Sequence, residues 1–209
     1  MGESGLRPLI RVLLAEDQGM VRGALAALLA LEPDLTVVAQ VARGDGIVAA
    51  ALQARPDVAL LDIEMPGQDG ISAAAELRRR LPACRVVMLT TFGRPGYLRR
   101  AMEAGAMGFL LKDAPSGELA VAVRRVAAGE RVVSPDLALE ALRLGENPLS
   151  EREQQILGAA RSGQAIADLA VELHLSEGTV RNHLSAAMQK VGAQTRAEAA
   201  RLAEARGWL

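Results

Sequence analysis

The first 130 residues alternate five short apolar, β-branched runs with longer segments of helical period, and this alternation restricts the fold more than any other feature. A strict alternation of strand and helix predicts a (βα)5 unit with a parallel sheet. The predicted strands are residues 10–15, 36–41, 58–62, 85–90 and 107–111. The predicted helices lie near residues 18–30, 45–54, 69–80, 95–104 and 116–128.

The central runs, DVALLD and RVVMLT, are apolar throughout instead of alternating with polar residues. Such strands are typical of a parallel sheet that helices cover on both faces. We therefore predict a doubly wound α/β sandwich of three layers. Right-handed crossovers make 2-1-3-4-5 a common strand order for this fold, with its switch point between strands 1 and 3.

The pattern changes after Gly129, where Pro135, Gly145 and Pro148 interrupt the chain and no further strand is predicted. We interpret residues 130–148 as a linker between two domains. The first domain would then be an α/β unit over residues 8–129, and the second would span residues 149–209.

The second domain is predicted to be entirely α-helical, since only helical periodicity continues beyond residue 149. Ser150 and Glu153 have the spacing of a capping box, and Ser176 is a candidate N-cap. Four short helices follow from these signals, at residues 151–162, 165–173, 177–191 and 196–206.

Composition excludes several classes of protein. A single cysteine, Cys84, cannot form an internal disulfide. The chain has only two histidines, His174 and His183, so it lacks the cysteine and histidine ligands of a typical zinc site. No apolar run approaches the roughly 20 residues that cross a bilayer, so we expect a cytoplasmic protein without membrane association. The formal net charge of −1 does not by itself indicate a polyanionic partner.

Three acidic residues stand where strands 1 and 3 are predicted to end, namely Glu16, Asp17 and Asp62. Ligands of doubly wound sheets bind beyond the carboxyl ends of the strands at the switch point. Converging carboxylates repel one another, and a hard divalent cation with oxygen ligands relieves that repulsion. The sequence therefore predicts a Mg²⁺ site.

The next two predicted strands end in a hydroxyl and an ammonium, those of Thr90 and Lys112. Lys112 is one of only two lysines among 24 basic residues, and its compact charge suits a phosphate oxygen. Asp62, at the end of the central strand, would be the nucleophile that accepts a phosphoryl group. Singly, the aspartates could be turn formers, Lys112 a surface charge and Thr90 a β-former; their coincidence at the strand ends favours the pocket.

These residues resemble the receiver domain of bacterial two-component response regulators. The resemblance is carried by Glu16-Asp17, by Asp62-Ile-Glu-Met-Pro-Gly-Gln-Asp-Gly70, by Leu89-Thr90-Thr91 and by Gly108-Phe-Leu-Leu-Lys112. It implies that Asp62 accepts phosphate from the phosphohistidine of a sensor kinase. It also implies that the backbone carbonyl of Glu64 joins the Mg²⁺ ligands, and that Thr90 and Phe109 change conformation together.

The segment HLSEGTVRNHLSAAMQK is typical of a helix-turn-helix whose recognition helix spans residues 177–190. Arg181 could contact a guanine edge, with Asn182 or Ser185 beside it. His183, Lys190 and Arg196 suit phosphates, which position a protein on DNA without specifying a sequence. A protein-binding helical bundle is the alternative, because polar residues on such a helix often form only its solvated face.

The same region resembles the LuxR-type DNA-binding domain and is similar to the NarL/FixJ family of response regulators. The matching segments are Leu149-Ser-Glu-Arg-Glu153, Ile166-Ala-Asp-Leu-Ala170, Leu175-Ser-Glu-Gly-Thr-Val-Arg-Asn-His183, Lys190-Val-Gly and Thr195-Arg-Ala-Glu-Ala199. Thr179 joins the candidate DNA contacts through this match. Arg181 departs from the lysine more common in the family. Arg94-Pro-Gly-Tyr97 and the terminal Gly-Trp-Leu209 resemble the DesR-like branch.

Together these features predict a transcription regulator controlled by phosphorylation, and not an enzyme. Its expected partners are a sensor histidine kinase, promoter DNA, a second copy of itself after phosphorylation, and RNA polymerase. The helices near 18–30, 95–104 and 116–128 are candidate dimer contacts. Two alternatives remain. One is a regulator that keeps the receiver fold but does not depend on phosphorylation. The other is a phosphatase with an aspartyl nucleophile, in which Glu64 could act as the acid.

Overall fold

The computed structural model describes residues 9–91, 95–133, 138–139 and 147–209. Within these ranges the chain forms two compact units, one built around a sheet and one of helices only. No described helix combines the length and apolarity needed to cross a bilayer. Arg94, part of the DesR-like motif, and much of the predicted linker lie outside the described residues.

The first unit is a six-stranded, all-parallel sheet with the order β2-β1-β3-β4-β5-β6. Its strands are β1 (Ile10–Ala15), β2 (Leu35–Val41), β3 (Val58–Asp62), β4 (Arg85–Thr90), β5 (Gly108–Leu111) and β6 (Val132–Val133). Its helices are α1 (Gly19–Ala30), α2 (Ile47–Ala54), α3 (Gly70–Arg80), α4 (Pro95–Glu103) and α5 (Ser116–Ala127). The predicted doubly wound (βα)5 order is confirmed.

Both faces of the central strands are buried, as their continuous apolarity predicts. All five residues of β3 are buried. On one face, alternate residues of β1, β3 and β4 pack in one cluster with Leu29 of α1 and with Val123 and Val126 of α5. Helices α2 and α3 bury apolar residues that include Ile47 and Leu77. Because every strand pairs in parallel, the carboxyl ends of the strands lie at one edge of the sheet.

The prediction that no strand follows residue 129 is wrong. Val132 and Val133 form β6 beside β5, and the Val132 amide donates a 2.8 Å hydrogen bond to the Met107 carbonyl. Two residues are too short to show any periodicity. The strand forms because the return of the chain after α5 brings two β-branched residues to the open edge of β5.

The second unit consists of four helices that follow one another with short connections. They are α6 (Glu151–Ala159), α7 (Ile166–Glu172), α8 (Glu177–Val191) and α9 (Arg196–Ala205). Helix α6 ends three residues earlier than expected, because residues 160–162 tighten into a 3₁₀ turn before Gly163, whose φ is +76°. Such a left-handed residue ends a helix at little cost when it is glycine.

The predicted caps of this unit are present. Ser150 and Glu153 form a complete capping box, and the Ser176 hydroxyl accepts a hydrogen bond from the Thr179 amide. Glu153 is only 5% exposed, and its Oε2 also accepts a 2.7 Å bond from Lys190 Nζ. This ion pair joins α6 to α8 at the edge of an apolar core that contains Trp208.

Replacing Lys190 with Met should lower the free energy of unfolding of this unit by about 1–2 kcal/mol, because the Glu153 carboxylate would lose a charged hydrogen bond while remaining buried. Urea unfolding followed by the fluorescence of Trp208, the only tryptophan, measures the effect. Arg181→Met is the matched control on the same helix, where the pair with Glu177 is exposed and worth little. Equal midpoints for the two variants would contradict the expectation.

The same difference should depend on pH. Burial raises the pKa of Glu153, but Lys190 and the hydrogen bonds at Ser150 outweigh burial and leave the pKa lowered. A pKa that is lower in the folded state stabilises the fold fully at neutral pH, and the contribution is lost as the pH falls through that lowered value. The stability gap between wild type and Lys190→Met should therefore shrink in acid.

Candidate functional site

Three carboxylates meet at the edge of the sheet where β1 and β3 end. Glu16 and Asp17 follow β1, and Asp62 is the last residue of β3. Parallel pairing of Ala15 with Leu61 sets the two strand ends side by side. One oxygen of each carboxylate lies within 4.8 Å of the others. The sequence prediction that these three side chains converge is confirmed.

Lys112, which follows β5, enters the same site. Its Nζ lies 2.6 Å from Glu16 Oε2 and 3.0 Å from Asp62 Oδ2, and its side chain is 8% exposed. Glu16 is fully buried, Asp62 is 4% exposed, and Asp17 faces solvent. The four side chains comprise three carboxylates and one ammonium, which contacts two of the three, so together they carry an excess of negative charge.

Burial and pairing act in opposite directions on the two charges at the centre. Burial raises the pKa of the Asp62 carboxyl, and the hydrogen bond and charge of Lys112 only partly oppose that rise. Burial lowers the pKa of Lys112, but its close pairing with the carboxylates of Glu16 and Asp62 outweighs burial and leaves the pKa raised. Lys112 is therefore a fixed positive charge, and it is the main group that favours the ionised form of Asp62.

The oxygen atoms present suit a hard divalent cation. Glu16 Oε1 accepts a 3.2 Å hydrogen bond from the Gln18 amide. Glu16 Oε2, although close to Lys112 Nζ, accepts no hydrogen bond of normal geometry from the described residues. A buried anionic oxygen without a well-directed donor, beside two further carboxylates, fits the oxygen coordination that Mg²⁺ prefers.

The other predicted residues lie on β4, on β5 and in the loop after β3. Thr90 is the last residue of β4 and is 4% exposed, and its carbonyl accepts a 2.8 Å hydrogen bond from the Lys112 amide. Phe109 in β5 is fully buried and pairs with Met88 of β4. Glu64, two residues beyond Asp62, turns its side chain to solvent. Phe109 thus lies inside the core, three residues before Lys112.

Arg22 of α1 is a residue that the sequence reasoning missed. Its Nη1 donates to the Glu16 carbonyl at 2.6 Å and lies 3.4 Å from the Asp17 carbonyl. Holding two successive carbonyls fixes the loop that carries both acids. The partner atoms are backbone oxygens, so no pairing of charged residues in the sequence could have indicated this contact.

Two glycines near the site permit close backbone approach. A Cβ on Gly70 would lie 2.0 Å from the Asp62 carbonyl oxygen, and one on Gly44 would lie 1.6 Å from the Gln68 carbonyl oxygen. Any side chain at these positions would displace the loop after β3. Gly70 belongs to the motif identified from sequence, whereas the packing role of Gly44 depends on a contact between two separate loops.

Helices α7 and α8 form the predicted helix-turn-helix. Arg181, Asn182 and Ser185 are exposed on α8, while Thr179 and His183 are partly buried. The Arg181 guanidinium pairs with Glu177 one turn earlier, at 2.5 Å. Since both side chains of that pair are about half exposed, the pair is weak and can open to another acceptor.

The two remaining candidate DNA contacts have partners inside their own unit. Lys190 binds Glu153, as described above. Arg196 donates to the carbonyls of Gln164 at 2.8 Å and Gly163 at 3.2 Å, which closes the turn before α7. Both side chains retain unused N–H groups, but each also has a structural role that spacing in the sequence did not indicate.

Comparison with known proteins agrees with these two units. Residues 12–124 match the response regulator receiver domain, and residues 147–203 match the luxR family of bacterial regulatory proteins. Two proteins of Bacillus subtilis strain 168 are similar over 96% of this chain and their own full length. They are the uncharacterized transcriptional regulatory protein YvfU, 48% identical, and the transcriptional regulatory protein DesR, 43% identical.

A solved structure supports the same assignment. The response regulator ChrA of a heme-sensing two-component system is 36% identical, aligns with 97% of this chain and 100% of its own, and has a TM-score of 0.58. The resemblance to LuxR-type response regulators is thus confirmed over nearly the whole chain. The chain belongs to the family of response regulators that carry a receiver domain and a LuxR-type helix-turn-helix, and it is a DNA-binding transcriptional regulator.

Proposed function

We propose that this regulator is controlled by phosphorylation of Asp62 by a sensor histidine kinase. The observation that supports this most is the pairing of Asp62 with Lys112 at 3.0 Å, beside two further carboxylates at the strand ends. The arrangement places a buried carboxylate, which would act as the nucleophile, next to a fixed ammonium. As a DNA-binding protein it would act in the cytoplasm, where bacterial promoters are.

Phosphoryl transfer at this site is a displacement at phosphorus. An Asp62 oxygen forms the new O–P bond as the P–N bond to the kinase histidine breaks, and the histidine keeps that electron pair. Lys112 would then exchange one carboxylate contact for a phosphoryl oxygen, and the Thr90 hydroxyl would donate to another. Glu16, Asp17, Asp62 and the carbonyl of Glu64 would hold Mg²⁺, which when bound offsets the charge of the phosphoryl oxygens.

Phosphorylation would reach the rest of the receiver through β4 and β5. The new phosphoryl group adds about two negative charges and several acceptor oxygens beside Thr90. Thr90 is joined to the start of the β5–α5 loop by its hydrogen bond with the Lys112 amide. Movement of Thr90 with the buried Phe109 would change the surface around α4 and α5.

Treatment with Mg²⁺ and acetyl phosphate should add one phosphoryl group to the full-length protein, measured as a gain in intact mass. Asp62→Ala should show no gain, and EDTA should abolish it in the wild type, because the nucleophile and the cation are each required. Asp168→Asn, in the second unit, is the control that removes a carboxylate elsewhere. Phosphorylation of Asp62→Ala to the wild-type level would exclude Asp62 as acceptor.

We further propose that phosphorylation promotes dimerisation and thereby promoter binding. Residues 149–209 carry seven basic and seven acidic side chains, so a single copy has little electrostatic attraction for DNA. Two linked copies on adjacent half-sites would gain avidity of about 10²–10⁴. RNA polymerase would be the next partner of a dimer bound at a promoter.

Sedimentation velocity should therefore show a monomer that becomes a dimer after treatment with Mg²⁺ and acetyl phosphate, with no change for Asp62→Ala. Binding to DNA should tighten over the same range of protein concentration. A phosphorylated protein that remained monomeric while binding DNA tightly would contradict the proposal.

Base recognition is proposed for the exposed face of α8. Arg181→Ala should weaken binding to a duplex selected from a randomised pool by the wild-type protein about 5–150-fold, corresponding to the 1–3 kcal/mol of a bidentate base contact. Arg201→Ala removes an exposed arginine from α9 and is the charge-matched control. Fluorescence anisotropy with selected and scrambled duplexes measures both. Equal losses on the two duplexes would assign Arg181 to phosphate contacts instead.

A further inference from the structure

A cavity of about 410 Å³ lies in the first unit at the ends of β4 and β5 that are opposite to the acidic site. Its lining includes the first residues of β4, the loop that enters β5, and the C-terminal parts of α3 and α4. This volume is in the range of small-molecule sites. Neither the phosphorylation chemistry nor DNA recognition uses this end of the sheet.

Three arginines face the cavity: Arg78, Arg85 and Arg131. Arg85 Nη1 donates to the Ala127 carbonyl at 2.5 Å, and Arg78 Nη1 donates to the Glu103 carbonyl at 3.3 Å. These bonds anchor two guanidiniums at the ends of α5 and α4 while using one of the five N–H groups of each. The part of the chain that the structure describes accepts no further hydrogen bond from either guanidinium.

The positive charge of this cavity is not neutralised by its lining. None of the described lining residues is acidic. Two nearby glutamates are paired elsewhere, Glu103 with Arg99 and Glu130 with Arg125. Burial and the charge of nearby Asp57 raise the pKa of the Cys84 thiol to about 12, so this lining residue adds no charge. Asp57 lies outside the lining, and its Oδ2 accepts a hydrogen bond from the Arg11 amide. The C-termini of α3, α4 and α5 contribute about half a negative charge each, which offsets about half of the three positive charges.

An apolar wall lies beside the arginines. Val86 and Ala106 are buried, and Met102 and Met107 complete this side of the cavity. Methionine side chains adapt to flat or irregular apolar groups. The cavity therefore combines several guanidinium donors with a surface that suits the uncharged part of a ligand.

We propose that this cavity binds a phosphate-bearing small molecule, with its phosphate groups on the three arginines and its body against the methionine wall. Guanidinium groups match phosphate oxygens in bidentate geometry, which makes phosphate the anion this lining recognises best. The proposal is independent of phosphorylation at Asp62, because the two sites lie at opposite ends of β4.

Isothermal titration calorimetry of the full-length protein tests this, with sodium pyrophosphate and with ATP as separate probes. EDTA in the buffer prevents binding of metal complexes at the acidic site. Arg131→Ala should weaken binding at least about tenfold, since a charged hydrogen bond is lost. Arg131 is exposed, so its removal should leave folding intact. Arg79→Ala, on α3 beside Arg78 and outside the lining, should leave the affinity within about twofold.

The methionine methyl groups give a second measurement. Carbon-13 methyl spectra should show shifts of the Met102 and Met107 resonances on titration, each assigned by substitution with leucine. Arg181→Ala should leave both the affinity and these shifts unchanged, which separates the cavity from anion binding by the DNA-recognition helix.

Tighter binding of ATP than of pyrophosphate would support the proposal and assign the site to nucleotides. Equal binding of both probes, lost in Arg131→Ala, would support it and assign the site to inorganic phosphates. The proposal is overturned if neither pyrophosphate nor ATP shows saturable binding at concentrations up to about 10 mM. It is also overturned by binding that Arg131→Ala leaves unchanged, or by binding that shifts neither methionine.

Discussion

Glu16 and Asp62 are buried carboxylates held against one ammonium, that of Lys112, where three parallel strands end. Removing one partner from such a buried set leaves an uncompensated charge and typically costs about 3–5 kcal/mol. The three strands must therefore keep their register for the charges to remain paired. The same pairing favours the ionised form of Asp62, which is the proposed phosphoryl acceptor, against the opposing effect of burial.

The two lysines of the chain have related environments. Lys112 binds the fully buried Glu16, and Lys190 binds Glu153, which is 5% exposed. Several arginines instead hold backbone carbonyls, as Arg22 and Arg196 do. An ammonium is more compact than a guanidinium and fits beside a carboxylate within a packed edge.

The sequence predicted most of the fold because its strongest signals are local. Continuous apolar runs located β1, β3 and β4 to the residue, and serine caps located α6 and α8. The sequence did not predict β6, because the signal for this strand is not local. Two valines carry no periodic signal, and their strand forms only because α5 returns the chain to the edge of β5. The internal roles of Lys190 and Arg196 were missed for the same reason, since their partners lie more than 30 residues away.

By itself, the sequence determined the order of the strands and helices, the residue types at the strand ends and the presence of a helix-turn-helix. These follow from periodicity, from the handedness of crossovers and from motifs that are contiguous in the chain. Only the tertiary structure decided which side chains share a partner. It placed Lys112 between the carboxylates of Glu16 and Asp62 and let Arg22 donate to the Glu16 carbonyl. It also brought three arginines together around one cavity. The physical reason is that these contacts join distant segments, and packing, rather than spacing along the chain, sets the distances between them.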